Sequence, residues 1–347
     1  MAISFPHAKK LKKHNGFHSA DRITRIYPSP VCFYKLKEKN NSTVKSLVNV
    51  GDRVLRGQKI ADIDSFNAVP IISSISGTIL SVTDEMISIE NDMLFDRIQP
   101  QFANLDSKSL SKEEYLWILR ECGVCEVRTG IPLHVLLSIK KLPQYIILCC
   151  FDSDPYVSSP QGACIGNVPR ILRTLELLMD ITDVKHAIIA VENDMRRIFS
   201  DFKYRLRYND DISLYSLKAR YPQSDDNILV KTVTGKNIDD IDIILLSPET
   251  ILNAELALKK SIPVMKKIVT VSGDDIIEPH NYNVPIGTTI SSLLDISGYP
   301  SPRVVINGGI VDGEEIHDLD LPITPITKAI LAFDDEKNIP KYRNSIK

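Results

Sequence analysis

YIILCCFDSDPY, residues 145–156, decides what kind of fold this chain makes. Its first seven residues are apolar and uncharged, and Asp152 and Asp154 follow just ahead of Pro155. A run that short, closed by turn-forming residues, reads as a strand buried on both faces. Downstream, Ile171, Leu172, Leu175, Leu178 and Met179 recur at helical spacing, and HAIIAV (186–191) is a second apolar strand. NDMRRIFSDF, DISLYSLKA, ILVKTVTG and IDIILL continue the rhythm as far as residue 246. Strands alternating with helices predict a parallel sheet covered by helices. The helix after residue 246 has a legible start, with Ser247 as N-cap, Pro248 in the first turn and Glu249 at the positive end of the helix dipole.

Upstream of the strand, the helical SKEEYLWILREC leads into ECGVCEVRTGIPLH (121–134), where Cys122 and Cys125 precede Gly130 and Pro132. Two readings stand: a metal or redox motif, or a phosphate-cradling loop with incidental thiols. Four thiolates, Cys122, Cys125, Cys149 and Cys150, would suit zinc or an iron-sulfur centre. Cys149 and Cys150, however, are consecutive on a strand and should face opposite ways, so incidental thiols and no metal site are expected. Residues 44–83 hold short apolar segments broken by Gly51, Gly57 and Gly77, the pattern of a small all-β unit. After Ser261 come the short strands KIVTVSG and NYNVPIG, a short helix TISSLLDI, the strand RVVING and a polar tail.

Composition narrows the function. The chain has 347 residues, 43% hydrophobic and 25% charged, which implies two or three globular domains. Its 42 basic and 44 acidic side chains nearly cancel, which argues against nucleic acid as a partner. The local run HAKKLKKH (7–14) reads as a solvated tail, with a membrane-surface contact through Lys9, Lys10, Lys12 and Lys13 as the alternative. No apolar run reaches the ~18 to 20 residues that cross a bilayer. No secretory signal is visible, so a cytoplasmic location with reduced thiols is expected.

The residues GDRVLRGQ (51–58), SISGTI (74–79), GIPLH (130–134), DSDPY (152–156), YPQ (221–223), VTVSGD (269–274), VPIGTT (284–289), NGG (307–309) and PITK (325–328) occur in the order found in the RnfC family. The chain resembles that family over nearly its whole length. RnfC proteins are peripheral subunits of membrane-bound, ion-translocating electron-transport complexes, related to NqrA and to the flavoprotein subunit of NADH dehydrogenase. The resemblance implies an α/β multi-domain chain: a barrel-sandwich hybrid over 1–108, a Rossmann-like parallel α/β domain of FMN/NADH type over 109–265, a β-grasp module of SLBB type over 266–320, and a tail, 321–347. It implies other subunits of such a complex as partners and a peripheral place at the inner face of the cell membrane. Lys59 lacks the flanking methionines of a lipoyl or biotinyl carrier, so the first module reads as a scaffold.

The same resemblance implies a cofactor site and marks where this chain departs from it. The family's glycine-rich loop lets backbone N–H groups approach FMN phosphate and a dinucleotide without a Cβ in the way. Here Gly123, Gly130, Pro132 and His134 remain, whereas Val127, Arg128 and Thr129 replace the Gly-Gly-Ala core and Leu136 replaces a lysine. Arg128 restores some affinity for phosphate. Asp152 and Asp154 stand where the family has glutamates, Glu192 and Asn193 (with Asp194 and Met195 after them) survive from an acidic-amide segment, and Ser224 and Asp225 replace two glycines. FMN and NADH binding are therefore expected to be weakened, and no residue is singled out as catalytic. The family's ferredoxin-like segment with two [4Fe-4S] clusters is also expected to be absent, since no cysteine follows Cys164.

Overall fold

The computed structural model describes residues 2–5, 8–13, 23–36, 44–63, 65–99, 110–138, 142–274, 276, 279–299 and 302–340. Its centre is a four-stranded sheet, wholly parallel, in the order Ile212–Leu217, Ala187–Glu192, Tyr145–Cys149, Ile243–Leu246. Ala187–Glu192 is buried along its whole length because helices cover both faces. The helix Val168–Thr182 lays Ile171, Leu172, Leu175, Leu178 and Met179 into this core, on the face that the apolar spacing predicts.

The segment 31–91 forms two small sheets, one of Val31–Lys35, Met86–Asn91, Gly77–Val82 and Arg53–Val54, the other of Lys45–Ser46, Lys59–Asp62 and Ile71–Ile72. Gly77 is required where these strands meet, since a Cβ there would lie 1.8 Å from the Glu90 carbonyl oxygen. Lys59 opens a strand and reaches Glu121 at 2.5 Å and Asp62 at 3.1 Å. Arg120 joins the same network through Asp62 and Glu121. The small sheets are thereby tied to the end of the helix Lys112–Glu121, which has a full capping box at Ser111 and Glu114. The boundary expected at 108/109 lies outside the described residues.

The third region is a mixed six-stranded sheet in the order Ile23–Arg25, His280–Pro285, Lys266–Ser272, Ala329–Phe333, Val304–Asn307, Glu314–Ile316. It differs from the expected division in two ways. Ala329–Phe333, inside the stretch read as a polar tail, is an interior strand with all five residues buried. Lys328 before it and Asp334, Asp335 and Glu336 after it hide a short apolar run in a polar setting. Ile23–Arg25, from the N-terminal stretch, supplies the edge strand. The helix Ile290–Ile296 covers one face, with Thr289 accepting the Ser292 N–H as its cap.

Candidate functional site

The carboxyl ends of the four parallel strands lie side by side, and open α/β sheets bind ligands in the crevice beyond such strand ends. Asp152 and Asp154 follow Cys149, Glu192 ends the next strand, and Ser247 follows the edge strand.

Asp152 Oδ1 accepts the Asp154 N–H at 2.9 Å, and its Oδ2 lies 3.2 Å from Lys328 Nζ. Burial alone would push this carboxyl up, but Lys328, the Asp154 N–H and Arg128 hold it below its ordinary range. Lys328 also binds Asp312 at 2.7 Å. Asp154 accepts the Tyr156 N–H at 3.0 Å and, across to the six-stranded sheet, the Val311 N–H at 3.0 Å. Burial and then the neighbouring Asp152 push Asp154 up to about 6. Gly309 is needed beside it, since a Cβ there would lie 2.4 Å from Asp154 Oδ2.

Glu192 is fully buried, and Lys13 Nζ meets its Oε2 at 2.5 Å and Asp194 Oδ2 at 2.9 Å. Burial raises Glu192 to about 7, with Lys13 opposing and Asp194 adding to the rise. Among the described residues, Glu192 Oε1 and Asp194 Oδ1 are buried without hydrogen-bond partners. Lys13 arrives on a strap that pairs Ile3 with Leu217 and Lys9 with Tyr221. The basic run 7–14 is therefore not a solvated tail at its end: Lys13 turns inward because two carboxylates at a strand terminus need a counter-charge. Asn193 serves the backbone, its Oδ1 accepting the Ala219 N–H at 3.0 Å.

Arg128 donates to the Ser224 carbonyl at 2.8 Å and is paired with Asp226. Both partners lie beyond the strand Ile212–Leu217, so the guanidinium reaches across to the loop that follows it. Behind it, Glu126 is buried, accepting the Ser247 N–H at 3.0 Å and the Arg128 N–H at 3.1 Å. Ser247 makes no side-chain cap bond, and Glu249 is spent on Lys267 and the Ile268 N–H rather than on the helix dipole. Below Arg128 and Asp226, a cleft of about 320 Å³ runs along the free edge of Ile243–Leu246, lined by Thr129, Ile131, Leu136 and Asp242.

Arg128, Asp152, Asp154 and Glu192 are thus gathered around the crevice, and Gly130 faces Ile326 of the PITK segment with φ of 77°. Two of the nine sequence candidates lie elsewhere. Gly123 faces the Pro70 carbonyl and Ile72. His134 is buried with Nε2 2.6 Å from the Phe66 carbonyl and its ring edge-on to Phe66, and burial lowers its proton affinity. Pro132 caps the short helix Leu133–Leu137. Lys13, Glu126 and Asp226 join these residues with no local signal in the sequence. Lys328 carried a signal, as the last residue of PITK.

The thiols have separate surroundings. Cys149 contacts the Phe151 carbonyl at 3.3 Å, Cys150 lies in hydrogen-bond contact with Cys164, and Cys125 pairs through its backbone with Pro132. Among the described residues no three metal-binding side chains converge.

As they stand, these residues do not fit FMN. The phosphate-competent cation, Arg128, is engaged by Asp226 and Ser224, and Asp152 and Glu192 already face Lys328 and Lys13. The crevice holds its charges in internal pairs.

Residues 3–98 match the RnfC barrel sandwich hybrid domain, and residues 119–271 match the Nuo51 FMN-binding domain. The chain is 26% identical to a subunit of the proton-translocating ferredoxin:NAD(+) oxidoreductase complex of Clostridium ljungdahlii, covering 91% of this chain and 74% of that one. It is 24% identical to a subunit of the Na(+)-translocating ferredoxin:NAD(+) oxidoreductase complex of Acetobacterium woodii (84% and 70%). It is also 24% identical to a subunit of the ion-translocating oxidoreductase complex of Haemophilus influenzae, where the match covers 89% of this chain but only 40% of the relative. A crystal structure of an NAD+-reducing [NiFe]-hydrogenase shares the fold at TM-score 0.55 and 14% identity, over 67% of this chain and 48% of that one. No helix among the described residues is long and apolar enough to cross a membrane. With both domain matches in that order and relatives aligned over most of its length, the chain is similar to the RnfC family.

Proposed function

We propose that this chain is a peripheral subunit of a membrane-bound, ion-translocating electron-transport complex, linked to NADH and ferredoxin oxidation-reduction. Within that complex it acts as a scaffold whose nucleotide crevice is closed by its own side chains. The observation that carries this reading is the set of internal ion pairs: Lys13 on Glu192, Arg128 on Asp226, and Lys328 on Asp152. Lys13 and Lys328 come from outside the stretch that matches the FMN-binding domain, so the closure joins three parts of the chain.

The three-module division supports the scaffold role. The small sheets read as a barrel-sandwich unit, the parallel sheet as a Rossmann-like domain, and the six-stranded sheet as a β-grasp of SLBB type, with surfaces for other subunits. A cytoplasmic place at the inner face of the membrane follows from the complex so proposed. The redox alternative, with FMN and NADH bound, draws on the names of the relatives and on the carboxylates kept in the crevice.

An anaerobic ultraviolet-visible spectrum of the purified protein, followed by NADH oxidation with an artificial acceptor, separates the two. No flavin absorbance and no turnover are expected. Stoichiometric flavin with steady NADH oxidation would overturn the scaffold reading.

A further inference from the structure

Four cations gather at the edge of the small sheets without a counter-ion. In the six-stranded sheet Arg25 pairs with Asn283, which also faces Ile268, and Lys266 lies two residues before Ile268. Arg25 and Lys266 therefore project from the same face, because side chains two apart on a strand and those directly opposite share one. Arg56 and Arg97 are bridge partners, with the Arg56 N–H donating to the Asp96 carbonyl at 2.9 Å and the Ile98 N–H to the Arg56 carbonyl at 3.1 Å. Gly57 brings this bridge to the six-stranded sheet: a Cβ there would lie 3.7 Å from Met265 Sδ. Among the described residues none of the four is paired with a carboxylate, and the buried Arg56 Nε has no hydrogen-bond partner. Burial and the mutual repulsion of these groups lower the proton affinity of Arg56 and Lys266. An unpartnered guanidinium nitrogen is costly unless an anion completes it.

Apolar side chains stand beside this cluster. Met93, Leu94 and Phe95 are 48%, 64% and 43% exposed, and Tyr27, whose ring centroid is 6.1 Å from that of Phe95, is 75% exposed. Tyr27 is two residues from Arg25, and Phe95 two from Arg97. The loop is held in shape. Met93 and Phe95 adopt left-handed φ of 57° and 58°, a conformation that bulky residues rarely keep. Asn91 Oδ1 accepts the Met93 N–H, Asp92 Oδ1 accepts the Leu94 N–H, and Arg53 clamps Asp92 and Asp96. So held, the loop leaves its apolar side chains facing solvent.

We propose that Arg25, Arg56, Arg97 and Lys266 take the phosphate of an acidic phospholipid headgroup, with Tyr27, Met93, Leu94 and Phe95 entering the acyl boundary beside it. Uncompensated cations flanked by exposed aromatic and aliphatic side chains match the two layers of an anionic bilayer surface. The inference rests on this surface alone and not on the state of the nucleotide crevice.

Cosedimentation of the full chain with vesicles tests it, comparing phosphatidylcholine alone with phosphatidylcholine containing phosphatidylserine. Binding is expected only to the anionic vesicles and should fall with salt. The exposed-site variant Arg25→Ala/Arg97→Ala should weaken it by roughly fivefold per cation, and Leu94→Ser/Phe95→Ser should weaken it as well. Lys10→Ala, elsewhere on the surface, should not, and circular dichroism confirms that each variant is folded. Four results would overturn the proposal: equal binding to neutral vesicles, equal loss in Lys10→Ala, no effect of either double variant, or displacement by about 10 mM inorganic phosphate, which indicates a free-anion site. Failure to bind either vesicle also refutes it and leaves the surface to a protein partner.

Discussion

Replacing Lys13 by Met should destabilise the protein strongly in mild alkali and little in mild acid. The cause lies in Glu192, whose buried carboxyl is raised from 4.5 to about 7 with Lys13 opposing that rise. A carboxyl with a raised folded-state pKa binds a proton more tightly folded than unfolded. Stability from this group is therefore full below the unfolded value, falls as pH climbs from 4.5 toward 7, and is level above that. Each pH unit in that window costs about 1.4 kcal/mol, so wild type loses about 3 kcal/mol by pH 7 and no more beyond it. Without Lys13 the carboxyl keeps its proton to higher pH, so the loss runs on past pH 7 and exceeds the wild-type limit. The cost specific to Glu192 is thus near zero at pH ~6 and grows by at most about 1.4 kcal/mol for each pH unit above 7. Urea unfolding at pH ~6 and at pH ~8.5 measures it, and Lys13→Met/Glu192→Gln should recover most of the alkaline loss. An equal cost at both pH values, or no recovery in the double variant, would refute the assignment of Lys13 to Glu192.

Glu249→Ala strands the buried Lys267 and should cost ~3 to 5 kcal/mol, while Glu249→Leu/Lys267→Met should unfold near the wild-type midpoint in the same denaturation assay. Gly273→Ala places a Cβ 1.8 Å from the Ala332 carbonyl oxygen at a φ of 148°, so it should destabilise by ~3 kcal/mol or more, read as a fall in melting temperature. Burial pushes Cys122 and Cys149 up to about 12, so all six buried thiols should react with Ellman's reagent at neutral pH only at the rate of unfolding. Fast labelling of the native protein would contradict that burial.

The parallel sheet was legible because its strands are short apolar runs spaced by amphipathic helices, and Ile171, Leu175 and Leu178 leave no other face for the helix they share. The interior strand Ala329–Phe333 was not, because five apolar residues between Lys328 and Asp334 lack a period long enough to separate strand from tail. At the crevice, Arg128, Asp152, Asp154 and Glu192 were legible from the strand ends and the loop. Their partners were not. Lys13 and Lys328 lie 179 and 176 residues along the chain from the acids they meet, and nothing local in a sequence states which distant lysine neutralises a buried carboxylate. His134 misled for the opposite reason: its neighbours in sequence belong to the loop, whereas its side chain belongs to the contact with Phe66.

Closure of the crevice by the protein's own cations is tested most directly by titrating FMN against the wild-type chain and following quenching of flavin fluorescence. No saturable quenching is expected up to ~100 μM, because Arg128, Lys13 and Lys328 are already paired. Saturable one-to-one quenching at low micromolar FMN would contradict it.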